Sequence, residues 1–116
     1  MTNEERLRKC ELRIQYLVDN LPDGDMPAMH PKAVEVARSL IQPLVEIATD
    51  VFIYPSWDGD VCLEFCVYGW NVSISTRETG EMNGHALLLK NLTTDEDFDG
   101  IDVTKLMQRI DQLRIS

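Results

Sequence analysis

The sequence predicts an α+β fold: an antiparallel meander of four strands with helices packed on one face, in the order α-α-β-β-β-β-α. Three features carry this reading. From Val51 to Thr76 apolar and polar residues alternate with a period of two, interrupted by Asp58-Gly59 and Tyr68-Gly69, both hairpin signals. Two segments before this stretch and one after it repeat apolar residues every three or four positions, the helical period. Helices gathered on one side of an antiparallel sheet are the ordinary way to cover it.

Thr2-Asn-Glu-Glu5 has the form of a capping box, so the spacing predicts a helix from the outset. Leu7, Cys10, Ile14, Leu17 and Leu21 make a narrow apolar seam, too short for a dimer zipper and read as intramolecular packing. Arg6, Arg8, Lys9 and Arg13 should form a basic outer surface, solvated and dotted with ion pairs. Pro22 to Pro27 is a linker-like turn. His30-Pro31 opens a second helix, its proline suited to the first helical position. Ala33, Ala37, Leu40, Ile41, Leu44 and Ala48 form its buried stripe, with Pro43 expected to kink or divide it near Ser39.

In the middle strand Val61, Leu63, Phe65 and Val67 face one way, and Cys62, Glu64 and Cys66 the other. A two-residue Tyr68-Gly69 loop pairs Val67 with Trp70, Phe65 with Val72, Leu63 with Ile74 and Val61 with Thr76. A one-residue slip would turn Trp70, Val72 and Ile74 out to water. The preceding turn fits a three-residue loop, Trp57-Asp58-Gly59, with Gly59 left-handed, Ser56 opposite Asp60 and Ile53 opposite Leu63. A bare Asp58-Gly59 turn would bury Phe52 and Tyr54 instead of Val51 and Ile53. Gly84 to Asn91 reads as the fourth strand, residues 94–102 as an acidic loop, and Asp102 as the N-cap of a helix burying Leu106, Met107, Ile110 and Leu113.

Length predicts one domain of 116 residues. Twenty acidic residues against 11 basic ones give a net charge of −9. That charge repels nucleic-acid phosphates and anionic membranes; it suits a basic partner or serves solubility alone, the commoner reason for such a charge. No apolar run reaches the length of a membrane span. Cys10, Cys62 and Cys66, an odd number without a signal-peptide pattern, point to a reducing cytoplasm; on that reading the sequons at Asn71 and Asn91 are chance matches.

No motif specifies catalysis, and no cofactor is expected. Asp95-Glu-Asp-Phe-Asp-Gly100 resembles the first half of an EF-hand or dockerin-like calcium loop, with Asp95, Asp97 and Asp99 as metal candidates. The twelfth position is Leu106, where that loop needs a bidentate acid, so the segment is read as solvated and favourable to the positive end of the last helix. Cys62 and Cys66 on one strand lie about 13 Å apart and cannot share a zinc ion. His30 and His85 are the only histidines, and neither comes with a nucleophile elbow or an oxyanion loop. Glu64 is either a general base or a solvated charge.

The face left bare by the helices is the more informative feature. It should carry Phe52, Tyr54, Cys62, Glu64, Cys66, Tyr68, Asn71 and Ser73, then Ser75, with Leu88 from the fourth strand. Aromatics with few charges resemble the composition of interface cores. The competing expectation is that the region around Pro43 or the Gly80–Gly84 loop folds over this face.

Pro55, Asp58, Gly59, Val61, Leu63, Glu64 and Phe65, followed by Gly69, Val72 and Ile74, resemble a hairpin found in small uncharacterised bacterial and mobile-element proteins. That hairpin reads Pro-x-x-Asp-Gly-x-Val-x-Leu-Glu-Trp, with Phe65 standing here for its Trp. The resemblance spans about a quarter of the chain. It implies accessory or toxin–antitoxin-like gene neighbourhoods and carries no substrate or catalytic residue.

The expected function is therefore non-enzymatic: binding a basic protein partner, or a second copy as a homodimer, through the bare sheet face. The alternatives are a calcium- or small-ligand-binding domain built on the acidic segment, and a hydrolase using Cys62, Cys66 or His85.

Overall fold

The computed structural model describes residues 1–114. Helices α1 (Asn3–Asn20), α2 (Pro31–Ile47) and α3 (Val103–Leu113) accompany strands β1 (Val51–Pro55), β2 (Val61–Val67), β3 (Trp70–Thr76), β4 (Met82–Leu88) and β5 (Asp95–Ile101). The strands form one antiparallel meander in sequence order. The α+β class stands, but the sheet has five strands rather than four. Among the described residues no helix is long and apolar enough to cross a membrane.

Local signals set most of the boundaries. The Thr2 side chain caps α1 by accepting from the Glu5 N–H at 3.1 Å, and Cys10, Ile14 and Leu17 bury its seam. Asp102 caps α3 the same way, accepting from Lys105 N–H at 2.8 Å. Leu106, Ile110 and Leu113 are buried beneath α3, with Met107 half-buried at the margin. Pro43 does not divide α2, which passes through it as one helix. The Ser39 carbonyl, which loses its usual donor to Pro43, lies on the exposed side, where water can serve it.

Both hairpins follow the expected geometry. Val67 pairs with Trp70 and Val61 with Thr76. Tyr68 (φ 53°) and Gly69 (φ 82°) both take positive φ, the type I′ turn whose twist matches that of the flanking strands. In the first hairpin Ile53 pairs with Leu63, Ser56 N–H donates to Asp60 C=O at 3.2 Å, and Gly59 is left-handed at φ 82°. The three-residue loop is thus the one formed. Its tip is tied to the start of α2: His30 N–H donates to the Gly59 carbonyl (2.8 Å), and His30 Nε2 donates to the Asp58 carbonyl (2.7 Å).

The core lies between the helices and one face of the sheet. Ile53, Leu63, Phe65, Trp70, Val72 and Ile74 meet Ala33, Ala37, Leu40, Ile41 and Leu44 of α2. Small alanines let α2 approach closely enough for the buried Thr76 hydroxyl to sit 2.9 Å from the Ala33 carbonyl and 3.1 Å from that of Val61.

The acidic segment expected as a loop is β5. Met82 to Leu88 pair with Asp95 to Ile101 through a bulge, where Gly100 (φ 60°) donates its N–H to Asn83 Oδ1 at 3.0 Å. Acidic residues disfavour strand formation on their own. Tertiary contacts override that preference: Phe98, 2 % exposed, plugs into the core. Arg109 of α3 lies 5.0 Å over its ring and reaches Glu96 at 3.2 Å. β4 also starts and ends earlier than expected, so Leu88 pairs with Trp70 on the helix-covered face instead of joining the bare one.

Candidate protein-docking face

The pairings place the bare face in three rows running across the strands. Tyr54, Cys62, Ser75 and Asn83 form one row. Phe52, Glu64, Ser73, His85 and Asp97 form the next, and Cys66, Asn71, Leu87 and Asp95 the third. Of the expected residues, Phe52, Tyr54, Cys62, Glu64, Cys66, Asn71 and Ser73 share this face, with Cys62 buried among its neighbours. Tyr68 does not belong to the rows: it sits in the turn, where Arg114 donates to its hydroxyl at 3.1 Å and stacks 5.0 Å over its ring. Asn83, His85, Leu87, Asp95 and Asp97 are additions, each placed by the true register of β4 and by the existence of β5.

Among the described residues nothing folds over this face. Phe52 is 64 % exposed and Tyr54 39 %, and Cys66 is exposed as well. The face is asymmetric, with aromatics at the β1 end, serine and asparagine in the middle and carboxylates at the β5 end. None of the five strands contains a Lys or Arg, while Glu64, Asp95, Glu96, Asp97 and Asp99 all lie in them. Exposed sheet surfaces ordinarily mix both signs. All 11 cations of this chain lie instead on helices, a helix cap or loops.

Both sheet edges are guarded. The hydrogen-bonded Ser56–Asp60 pair and the alternation of an antiparallel ladder point the main-chain groups of Val51, Ile53 and Pro55 outward. Arg13 Nε donates to the Ile53 carbonyl at 3.0 Å, and Pro55 has no N–H to offer. At the other edge, acidic side chains and the Gly100 bulge discourage pairing.

The catalytic and metal readings fare differently. His85 Nε2 lies 3.0 Å from Asp95 Oδ2, but no hydrogen bond joins that ring to Ser73 or Cys62 among the described residues. Cys62 instead meets Ser75 Oγ at 3.6 Å, and burial pushes its thiol pKa up, which makes the nucleophilic thiolate scarcer. Burial likewise raises the Tyr54 hydroxyl pKa, helped by Cys62 and Glu64 beside it. On a strand, Asp95, Asp97 and Asp99 are spaced about 6.6 Å apart per two residues and cannot wrap one cation as a calcium loop does. Among the described residues no group of three or more His, Cys, Asp or Glu is placed to hold a metal ion.

No protein-family model, curated protein or solved structure matches this chain.

The thiols provide a check on this geometry. With Ellman's reagent at neutral pH, the exposed Cys66 is expected to react fast, and buried Cys10 and Cys62 slowly. Cys66→Ser should remove the fast phase; a fast phase that survives this substitution would mean the sheet face is arranged otherwise.

Proposed function

We propose that this chain is a small protein-binding module, of the immunity, antitoxin or inhibitor kind, that acts by occupying a basic protein through the bare face of its sheet. The observation that carries this reading is the sorting of charge: a face with exposed aromatics, several carboxylates and no cation from any strand. Phe52 and Tyr54 supply the apolar anchors, and Glu64, Asp95 and Asp97 steer and orient a cationic partner. The same charge disfavours phosphate backbones and anionic lipid surfaces. A two-fold axis running along the row from Phe52 to Asp97 would set Glu64 and Asp97 each against its own copy, a repulsion that a basic partner avoids.

The test is affinity capture on the immobilised chain at low salt, alongside a Phe52→Ala/Tyr54→Ala variant and a Glu64→Gln/Asp95→Asn/Asp97→Asn variant. A basic protein should be retained by the parent chain and released as salt rises. Its affinity should fall about tenfold or more for each aromatic removed. The charge variant should mainly slow association. Equal capture by all three chains would sink the proposal. Light scattering that shows a dimer broken by the aromatic substitutions would reassign the face to self-association.

A further inference from the structure

We propose that the cleft between α1 and the edge strand β1 is a binding site for a small amphiphilic carboxylate, a single anionic head on an apolar body. The cleft has a volume of about 400 Å³, within the span of roughly 300–1,000 Å³ usual for small-molecule sites. Cys10, Val45, Val51 and Ile53 give it an apolar lining, and Phe52 and Tyr54 border it on the sheet side. Arg6, Lys9 and Arg13 of α1 also line it.

What sets these cations apart is what they lack. The chain carries 20 carboxylates for 11 cations, yet every ion pair among the described residues lies elsewhere. Arg6 bonds only to neutral oxygens: the Met1 carbonyl (3.3 Å), the Asn3 side chain and the Val45 carbonyl (3.4 Å). Its Nε is buried without an acceptor. Arg13 spends its Nε on the Ile53 carbonyl, and Lys9 is exposed and forms no ion pair among the described residues. Neutral acceptors satisfy hydrogen-bonding geometry without cancelling charge, so the cleft keeps a positive potential inside an acidic protein. Asp50 is the one acid in the lining, and against three cations it leaves an excess of two positive charges. It also opposes a doubly charged head, which favours a carboxylate over a phosphate monoester. The head meets Lys9 and the guanidinium groups, and the tail lies along Cys10, Val45 and Val51.

Titration of the isotopically labelled chain with decanoate, below its micellar concentration, tests the site by amide chemical shifts. Saturable shifts are expected on Lys9 to Arg13 and Val51 to Tyr54. Decanol should bind about tenfold more weakly, Lys9→Gln should weaken decanoate to a similar degree, and Thr49→Trp should block the cleft. Lys9 and Thr49 are both exposed, so neither substitution touches the core. Shifts that do not saturate, decanol binding as tightly as decanoate, or changes centred on Ser73 and His85 would each overturn the site. Tighter binding of decyl phosphate would overturn the carboxylate assignment. Lys9 and Thr49 lie off the sheet, so this outcome is independent of partner docking.

Discussion

Replacing Trp70 with alanine is expected to destabilise the fold by about 3–5 kcal/mol, the usual loss for an aromatic cut from a packed interior. Trp70 is 1 % exposed, opens β3 directly after the type I′ turn, and pairs with Val67 on one side and Leu88 on the other. The cavity left behind would border the ends of three strands, where collapse is limited by the ladders on both sides. For a domain of this size the loss corresponds to a fall in Tm of roughly 10–20 °C. Trp70→Phe should behave differently. The indole Nε1–H is buried with no acceptor, a burden of about 1–3 kcal/mol that phenylalanine removes while keeping most of the ring. Urea denaturation followed by circular dichroism separates the two: the phenylalanine variant should lose well under half of what the alanine variant loses. Equal losses would show that the indole N–H is satisfied in solution.

Gly84→Ala is expected to cost about 1–3 kcal/mol, against the usual preference for alanine over glycine within a strand. The reason is space. A Cβ at Gly84 would stand 2.7 Å from the Ser73 carbonyl oxygen and 3.1 Å from the Phe98 ring. The carbonyl is main chain and cannot turn aside as a flexible side chain would. Either β4 moves away from β3 or Phe98 leaves its slot, and both responses disturb the bare face around Ser73 and His85. Thermal unfolding checks the sign, and amide shift changes should spread through β3, β4 and β5. A stabilised Gly84→Ala protein would mean that the β3–β4 approach is looser than the structure shows.

The paired strands Val51 to Thr76 were legible because two independent local signals agreed. Alternation named the buried set, and turn chemistry at Gly59 and Tyr68-Gly69 chose a register that put that set on one side. Had only one signal been present, the bare Asp58-Gly59 turn would have been as plausible, and Phe52 and Tyr54 would have traded places with Val51 and Ile53. The helices were readable for a similar reason: caps at Thr2 and Asp102 coincide with the start of an apolar period.

β5 was not legible. Its composition argues for a solvated loop, and only one of its side chains, Phe98, is buried. What makes it a strand is β4 beside it and Arg109 above it, pairing and packing that the composition of the segment itself does not record. The same blindness placed Leu88 on the wrong face, since the end of β4 depends on where its partner begins. It also hid the roles of Arg6 and Arg13, which look like outer-surface cations in sequence but turn toward α2 and the edge of β1.

By itself, then, the amino-acid sequence determined the class of the fold, the two hairpins with their register, and the aromatic half of the bare face. Each of these rests on interactions between residues near in sequence, where periodicity and turn preference act. The tertiary structure alone decided that an acidic segment would close the sheet, that its carboxylates would share a face with Phe52 and Tyr54, and that three cations would gather unneutralised beside β1. Those outcomes depend on pairing and packing between elements, whose energies outweigh local propensity and leave no periodic trace in the chain.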